Sequence, residues 1–298
     1  MLDISVIILT YNEEIHIRRC IQKVKPFVKD IYIVDCYSTD QTVSIAESLG
    51  VKVLQHQWPG NQAVQFNWAL ENIQINTEWI LRLDADEYLT DELVQELQTK
   101  LSKTPKEIAA YSIPLGRAFL GRKLNHGIVN GIKIVRLFRT GKAYYEQRLM
   151  DERLVVDGEV SELEHQFVDD SRLSIKAFVD KHNGYSSREA ALLLDAEYGL
   201  YSSSDDEQKL GENAASKRAQ KAKYARMPLF WRSLGYFIYR YVIKFGFLDG
   251  KEGFLWDFFQ GFWYRMLVDA KVFEIKKACG NDKEKIRKYL KEVYHIAM

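Results

Sequence analysis

The chain is predicted to be an α/β protein, with a mostly parallel central sheet flanked by helices and a helical, aromatic-rich C-terminal extension. Three observations predict it. Short β-branched runs alternate with helical stretches over the first half of the chain, and parallel neighbours require such crossovers. Polar residues follow directly on three of those runs, at the strand ends where open parallel sheets bind ligands. Beyond residue 228 the composition changes to two dense bursts of Phe, Trp and Tyr. Two regions are expected: 1–170, carrying the sheet and the chemistry, and 171–298, a helical part that associates with membrane or dimerises.

Residues 4–9 are an apolar run of strand type, and 13–24 a helical stretch. A second strand is expected over 31–34 with a helix over 39–49. A third strand over 51–54 precedes a helix near 63–72, and a fourth strand covers 79–83. Thr90 or Asp91 would cap a helix starting near Glu92. Further on, Gly116, Gly121, Gly127, Gly131 and Gly141 punctuate strand-like runs at 109–113, 132–138 and 153–156, a mixed extension of the sheet on the acceptor side. Residues 173–194 have helical periodicity, 201–207 read as a loop and 217–226 as a basic helix. A turn at Asp249-Gly250-Lys251-Glu252-Gly253 separates the two aromatic bursts.

Charged residues make up 28% and apolar residues 47% of the 298, the balance of a globular chain. The formal net charge of +1 lacks the basic excess of a nucleic-acid binder. Cys20, Cys36 and Cys279 are odd in number and have no C-x-x-C spacing, which argues against a disulfide framework and for a reducing cytosol. The 6–9 run is too short and too acid-flanked for a signal peptide. Residues 229–248 approach bilayer length but contain Arg232, Arg240 and Lys244, so an interfacial contact over 217–265 is expected instead of a span. A buried helical pair or a homodimer interface has the same composition. The expected location is cytoplasmic, peripheral on the cytoplasmic face of the inner membrane.

The strongest chemical signal is Leu81-Arg82-Leu83-Asp84-Ala85-Asp86-Glu87. In an extended strand Asp84 and Asp86 would point to one side. Two hard oxygen donors at a strand end suit a divalent cation that keeps waters and takes its remaining ligands from a diphosphate. D-x-D is common, and a strand running into a helix cap accounts for it equally well. Its context carries more weight than the pair alone.

The ordered set T-Y-N-E (10–13), V-D-x-x-S-T-D-x-T (34–42), Asn67 and L-D-A-D-E (83–87) resembles the inverting family 2 glycosyltransferases of GT-A (Rossmann-like) fold. With G-x-x-D-G-x-x-G (246–253) the resemblance narrows to the branch that includes lipopolysaccharide-core β-glucosyltransferases. It is strongest over 4–90. The resemblance implies a donor-nucleotide site in which Thr10 and Tyr11 wall a uridine and Glu13 and Asp35 contact the nucleoside. Asn67 belongs to that site, and Asp84 would contact the ribose or metal-bound waters. Asp86 and His165 would hold Mg2+ or Mn2+, with Glu87 orienting them. Asp151 or Glu152, Glu152 favoured, would be the base that deprotonates the acceptor hydroxyl.

Each of these residues also has a plainer local role. Ser38 or Thr39 can cap a helix, Glu13 can be a first-turn acid, His165 can be structural and Asp151-Glu152 an exposed acidic turn. Many family members carry Arg where this chain has Phe66, so the positive charge for the phosphates would come from elsewhere, Arg82 or Lys133, or be lost. No Q-x-x-R-W motif is present, which points to one sugar per encounter. The implied reaction moves one sugar from a UDP-sugar, UDP-glucose or a related hexose donor, to a glycan or glycolipid acceptor such as lipopolysaccharide core or a lipid-linked oligosaccharide. Two rivals stand beside it: a catalytically silent membrane-associated scaffold, and a sugar-1-phosphate nucleotidyltransferase. The latter usually has a Gly-rich basic loop, which residues 9–13 lack.

Overall fold

The computed structural model describes residues 1–129, 131–146, 154–200, 224 and 227–296. They form two compact units, 1–125 with 129–172, and 126–128 with 173–298. In the first unit β1 (Leu2–Thr10), β2 (Val28–Asp35), β3 (Lys52–Gln55) and β4 (Trp79–Asp84) lie in the order β3-β2-β1-β4, all parallel. The chain steps outward from β1 to β3, then returns to the far side of β1 for β4. That reversal opens a crevice at the carboxyl ends of β1 and β4. The register sets Thr10 beside Asp35 and Leu9 beside Asp84, so three polar strand ends share one level.

Beyond β4 the sheet is mixed. β8 (Lys133–Arg139) pairs antiparallel with β4, and β6 (Ile108–Phe119) antiparallel with β8. β12 (Phe167–Ser171) follows parallel to β6, and β5 (Glu87–Leu89) lies antiparallel to β12. β7 (Arg122–Leu124) and β11 (Glu159–Glu162) also pair with β6. β9 (Ala143–Tyr145) and β10 (Leu154–Val156) form a separate ladder. The alternation of side chains along the strands builds two cores. Val6, Ile8 and Ile33 pack under α1 (Ile17–Val24), α2 (Thr42–Ser48) and α4 (Asp91–Lys100). Ile7, Val34 and Ile80 pack under α3 (Gln62–Asn72) and β9. The α/β class with helices on both faces is therefore the one expected.

Several boundaries differ from expectation for local reasons. α1 starts at Ile17 and not at Glu13, because the Glu13 carbonyl accepts the amides of both His16 and Ile17, each at 2.9 Å, in a tight turn. α2 starts at Thr42, after a turn whose polar side chains bond across to residues 12–14. Residues 249–253 are no mere turn: a helix begins at Gly250 and runs to Trp256. The 201–207 and 217–226 stretches lie outside the described residues, Tyr224 excepted. All three cysteines are buried free thiols. Among the described residues no helix is long and apolar enough to cross a membrane.

The second unit is helical and rich in aromatics. α5 (Ile175–Tyr198) is capped by Ser174, whose Oγ accepts the Ala177 amide, and ends at left-handed Gly199. Ala190, Ala191 and Leu194 pack on Val268, Val272 and Ile275 of the Tyr264–Cys279 helix. A second packing centre is polar. Arg240 pairs with Asp257 at 2.8 Å and donates from Nε to the Gly127 carbonyl at 2.9 Å. His126 donates its amide to Asp249 Oδ2 at 2.8 Å. Gly127 has φ +72°, and a Cβ there would lie 2.6 Å from Asp257 Oδ2, so only glycine fits. The G-x-x-D-G-x-x-G stretch thus supplies Asp249 to a buried hub.

Burial pushes the Asp257 carboxyl up to about 6 despite the opposing charge of Arg240. The folded state therefore holds this proton more tightly than the unfolded chain, whose value lies near 3.8. The contribution to stability is present at low pH and is lost as the pH rises from about 4 to about 6. The melting temperature of wild type minus that of Asp257→Asn is expected to increase as the pH falls from 7 to 5. A difference that stays constant with pH would contradict the assignment.

Candidate active site

The crevice is walled on one side by the ends of β1 and β2. Asp35 closes β2, is fully buried and accepts three hydrogen bonds: Thr10 Oγ1 at 2.9 Å, the Ser38 amide at 2.8 Å and Ser38 Oγ at 2.5 Å. Asn12 takes the left-handed conformation at φ 55° and accepts the Thr39 amide on Oδ1 at 2.8 Å. These bonds stitch the two strand ends into one rigid ledge. Tyr11 and Tyr37 stand exposed on it, at 59% and 51%. Tyr37 was not anticipated; its place two residues past the strand end, as Tyr11 is one past its own, is the signal that could have found it.

Neither Ser38 nor Thr39 caps α2. Ser38 Oγ is committed to Asp35 and to the Asn12 amide, and Asp40 instead accepts the Thr42 amide at 2.9 Å. Glu13 is likewise committed. Its Oε2 lies 2.6 Å from Nδ1 of buried His16, whose Nε2 accepts the Arg172 amide at 2.9 Å. The proton must then sit on Nδ1 and point at Glu13. Asn67 makes a reciprocal pair with Tyr145, donating to its carbonyl and accepting its amide, both at 2.8 Å. It fastens α3 to β9 at the edge of the crevice.

The other wall is a charge cluster at the end of β4. Asp84 Oδ2 lies 2.9 Å from Arg136 and Oδ1 3.2 Å from Arg82. Arg136 also pairs with buried Glu87 at 2.5 Å, and Glu87 Oε2 accepts the Asp84 amide at 2.8 Å. Burial by itself would raise the Asp84 carboxyl, but the Arg136 and Arg82 guanidiniums outweigh it and hold Asp84 well below the usual carboxylate range. Burial raises Glu87. Two neighbouring carboxyls are thereby driven apart, Asp84 ionised and Glu87 the easier to protonate.

Arg82 lies 5.5 Å above the Phe66 ring and 4.6 Å from that of Tyr145. The aromatic at 66 thus props up a guanidinium instead of supplying one. Of the two candidate cations, Arg82 stands in the cluster, whereas Lys133 pairs with Glu162. Arg136 was not anticipated. A buried arginine in an apolar strand is a signal that an acid must face it.

Asp86 does not continue β4. The strand ends at Asp84, and Ala85 and Asp86 form a two-residue turn into β5. The argument from strand alternation therefore fails for this pair. The turn is held from below: the Asp86 carbonyl accepts Arg19 Nη2 at 3.0 Å and the Asp170 amide at 3.1 Å. Thr90 caps α4, its Oγ1 accepting the Leu93 amide at 3.3 Å. His165 is held on α4 by Glu96, through Nδ1 at 3.0 Å and its own amide at 3.0 Å. Among the described residues no three His, Cys, Asp or Glu side chains gather as a metal cluster, so His165 is not brought together with Asp84 and Asp86 in one. Asp151 and Glu152 lie outside the described residues.

Comparison with known proteins bears on this site. Residues 5–152 match the model of glycosyl transferase family 2. The chain is 30% identical over 291 residues to the glycosyltransferase RT0209 of Rickettsia typhi, covering 94% of this chain and 90% of that protein. It is 31% identical over 204 residues to the glycosyltransferase RP128 of Rickettsia prowazekii, covering 65% of this chain and 69% of the other. Among solved structures, residues 1–349 of Staphylococcus aureus TarS in complex with UDP-GlcNAc are 16% identical, with a TM-score of 0.45 over 99% of this chain and 92% of that one. The family match reaches across both walls of the crevice, and the first relative is similar along nearly the whole chain: this protein is a member of glycosyltransferase family 2.

Proposed function

We propose that the enzyme transfers a single sugar from a UDP-sugar, a hexose donor such as UDP-glucose, to a glycan carried on a cell-envelope lipid, with inversion at the anomeric carbon. The observation that carries this reading is the meeting of two unlike walls at the sheet's switch point. One is the ledge of Thr10, Asp35 and Asn12 with exposed Tyr11 and Tyr37. The other is the Asp84–Arg136–Glu87 cluster. The ledge offers ring faces and fixed polar edges to a nucleobase. The charged wall offers Arg82 and Arg136 near where a diphosphate would lie.

A divalent ion fits the donor set. Mg2+ or Mn2+ needs only one or two carboxylates when substrate phosphates and water complete its shell. Asp86 would hold it, with the ionised Asp84 close by in sequence and on the charged wall. When bound, the ion would neutralise charge on the departing diphosphate. The protein's own chemistry is a direct displacement. Glu152 takes the proton from the acceptor hydroxyl as that oxygen bonds to the anomeric carbon. The bond from that carbon to the β-phosphate oxygen breaks, and UDP departs with its electron pair.

The test is UDP release and product configuration with a panel of UDP-hexoses and lipid-linked acceptors. Glu152→Gln is expected to lose about a hundred- to ten-thousandfold in rate at unchanged donor affinity, and Asp151→Asn less than about tenfold. The reverse ranking would move the base to Asp151. A product that retains the donor's anomeric configuration would overturn the displacement.

A further inference from the structure

The Trp231–Ile238 helix and the π-helical turn Tyr239–Ile243 are built inside out. Arg232, Ser233 and Arg240 face inward and are buried. Arg232 Nε and Ser233 Oγ both bond Asp269, at 2.8 and 3.0 Å, and Arg240 pairs with Asp257 at 2.8 Å. The apolar residues face outward: Trp231 is 73%, Ile238 46%, Val242 50% and Ile243 58% exposed. Trp231, Leu234, Ile238 and Val242 recur at helical spacing along one stripe. A helix in a soluble protein normally turns the opposite way. The two arginines that seemed to interrupt an apolar segment are thus neutralised within the unit and leave its outer face uninterrupted.

Among the described residues of 227–265 the exposed charges are both positive. Lys244 and Lys251 are exposed, whereas Asp249 and Asp257 are buried and Glu252 is half-buried. We propose that this face docks in the headgroup layer of an anionic bilayer, its apolar stripe in the acyl boundary and its lysines on lipid phosphates. An apolar face with a cationic edge and no span of its own is what such a contact requires. A second copy fits less well. About a two-fold axis the patch would meet itself, lysines facing lysines with no exposed acid among the described residues of the stretch to answer them. The inference deepens the reading above, on which it rests for a purpose, by naming the surface that carries the acceptor.

Flotation of the full chain with vesicles tests it without any substrate. Vesicles of phosphatidylcholine with about a third phosphatidylglycerol are compared with phosphatidylcholine alone. Wild type is expected to float with the anionic vesicles and much less with the neutral ones. Ile243→Asp should cut the bound fraction about tenfold, and Lys244→Glu should abolish the preference for anionic lipid. Both residues are exposed, and thermal melts of each variant confirm the fold. No flotation, flotation unchanged by Ile243→Asp, or equal binding to both vesicle types overturns the proposal. So does a dimer in solution that Ile243→Asp dissociates. UDP binding by the same preparation separates the two readings. Protein that binds UDP but does not float sinks only the docking, and protein that floats but does not bind UDP sinks the donor site.

Discussion

Asp86→Ala is expected to slow sugar transfer about a thousandfold, ~4 kcal/mol of barrier. The reason lies in what each part of the residue does. Its carbonyl fastens the turn between β4 and β5 by accepting Arg19 and the Asp170 amide. Truncating the side chain leaves those backbone bonds in place, and melting curves of the variant check that its fold is retained. The carboxylate is the donor that the proposed Mg2+ or Mn2+ needs beside the diphosphate. Steady-state rates with and without the metal are the measurement. A variant that retains more than about a tenth of the wild-type rate would show that the residue is not a ligand to a required ion.

Arg136→Met is expected to destabilise the first unit by about 3–5 kcal/mol, the usual consequence of removing one partner from a buried ion pair. Arg136 is the shared partner of Asp84 and Glu87, and both it and Glu87 are almost wholly buried. Methionine fills the space but strips buried Glu87 of its cation, while Asp84 keeps only Arg82. Glu87 can respond by protonating; Asp84 is partly exposed and can recover water. Adding Glu87→Gln to Arg136→Met should therefore restore part of the loss. Denaturant unfolding of the single and double variants decides the matter. Strict additivity of the two changes would contradict the coupling described here.

Much of the parallel half of the sheet was legible because its signals are local. Residues 4–9 and 79–83 are apolar but for Ser5 and Arg82, and the polar residues that follow them mark the level at which the strands stop. The register confirms that level, with Thr10 beside Asp35. What was not legible depends on partners distant in sequence. Residues 13–16 and 38–41 have helix-compatible composition, yet their side chains bond one another's backbones and hold turns. Asp84 and Asp86 suggested one continuing strand, but the chain turns at Ala85 to pair β5 with β12. The role of Phe66 becomes clear only once Arg82 lies over its ring. The inward face of the Trp231–Ile238 helix is set by Asp269 and that of the turn after it by Asp257, each far along the chain, so aromatic composition alone could not say which side faces out.

In the proposed reaction the crevice binds a uridine diphosphate with a divalent ion. Titration calorimetry of UDP into wild type and Asp86→Ala, with and without Mn2+, tests it most directly. The expected result is saturable binding by wild type that is strengthened by Mn2+, and loss of that strengthening in the variant. Absence of UDP binding by wild type in the presence of Mn2+ would contradict it.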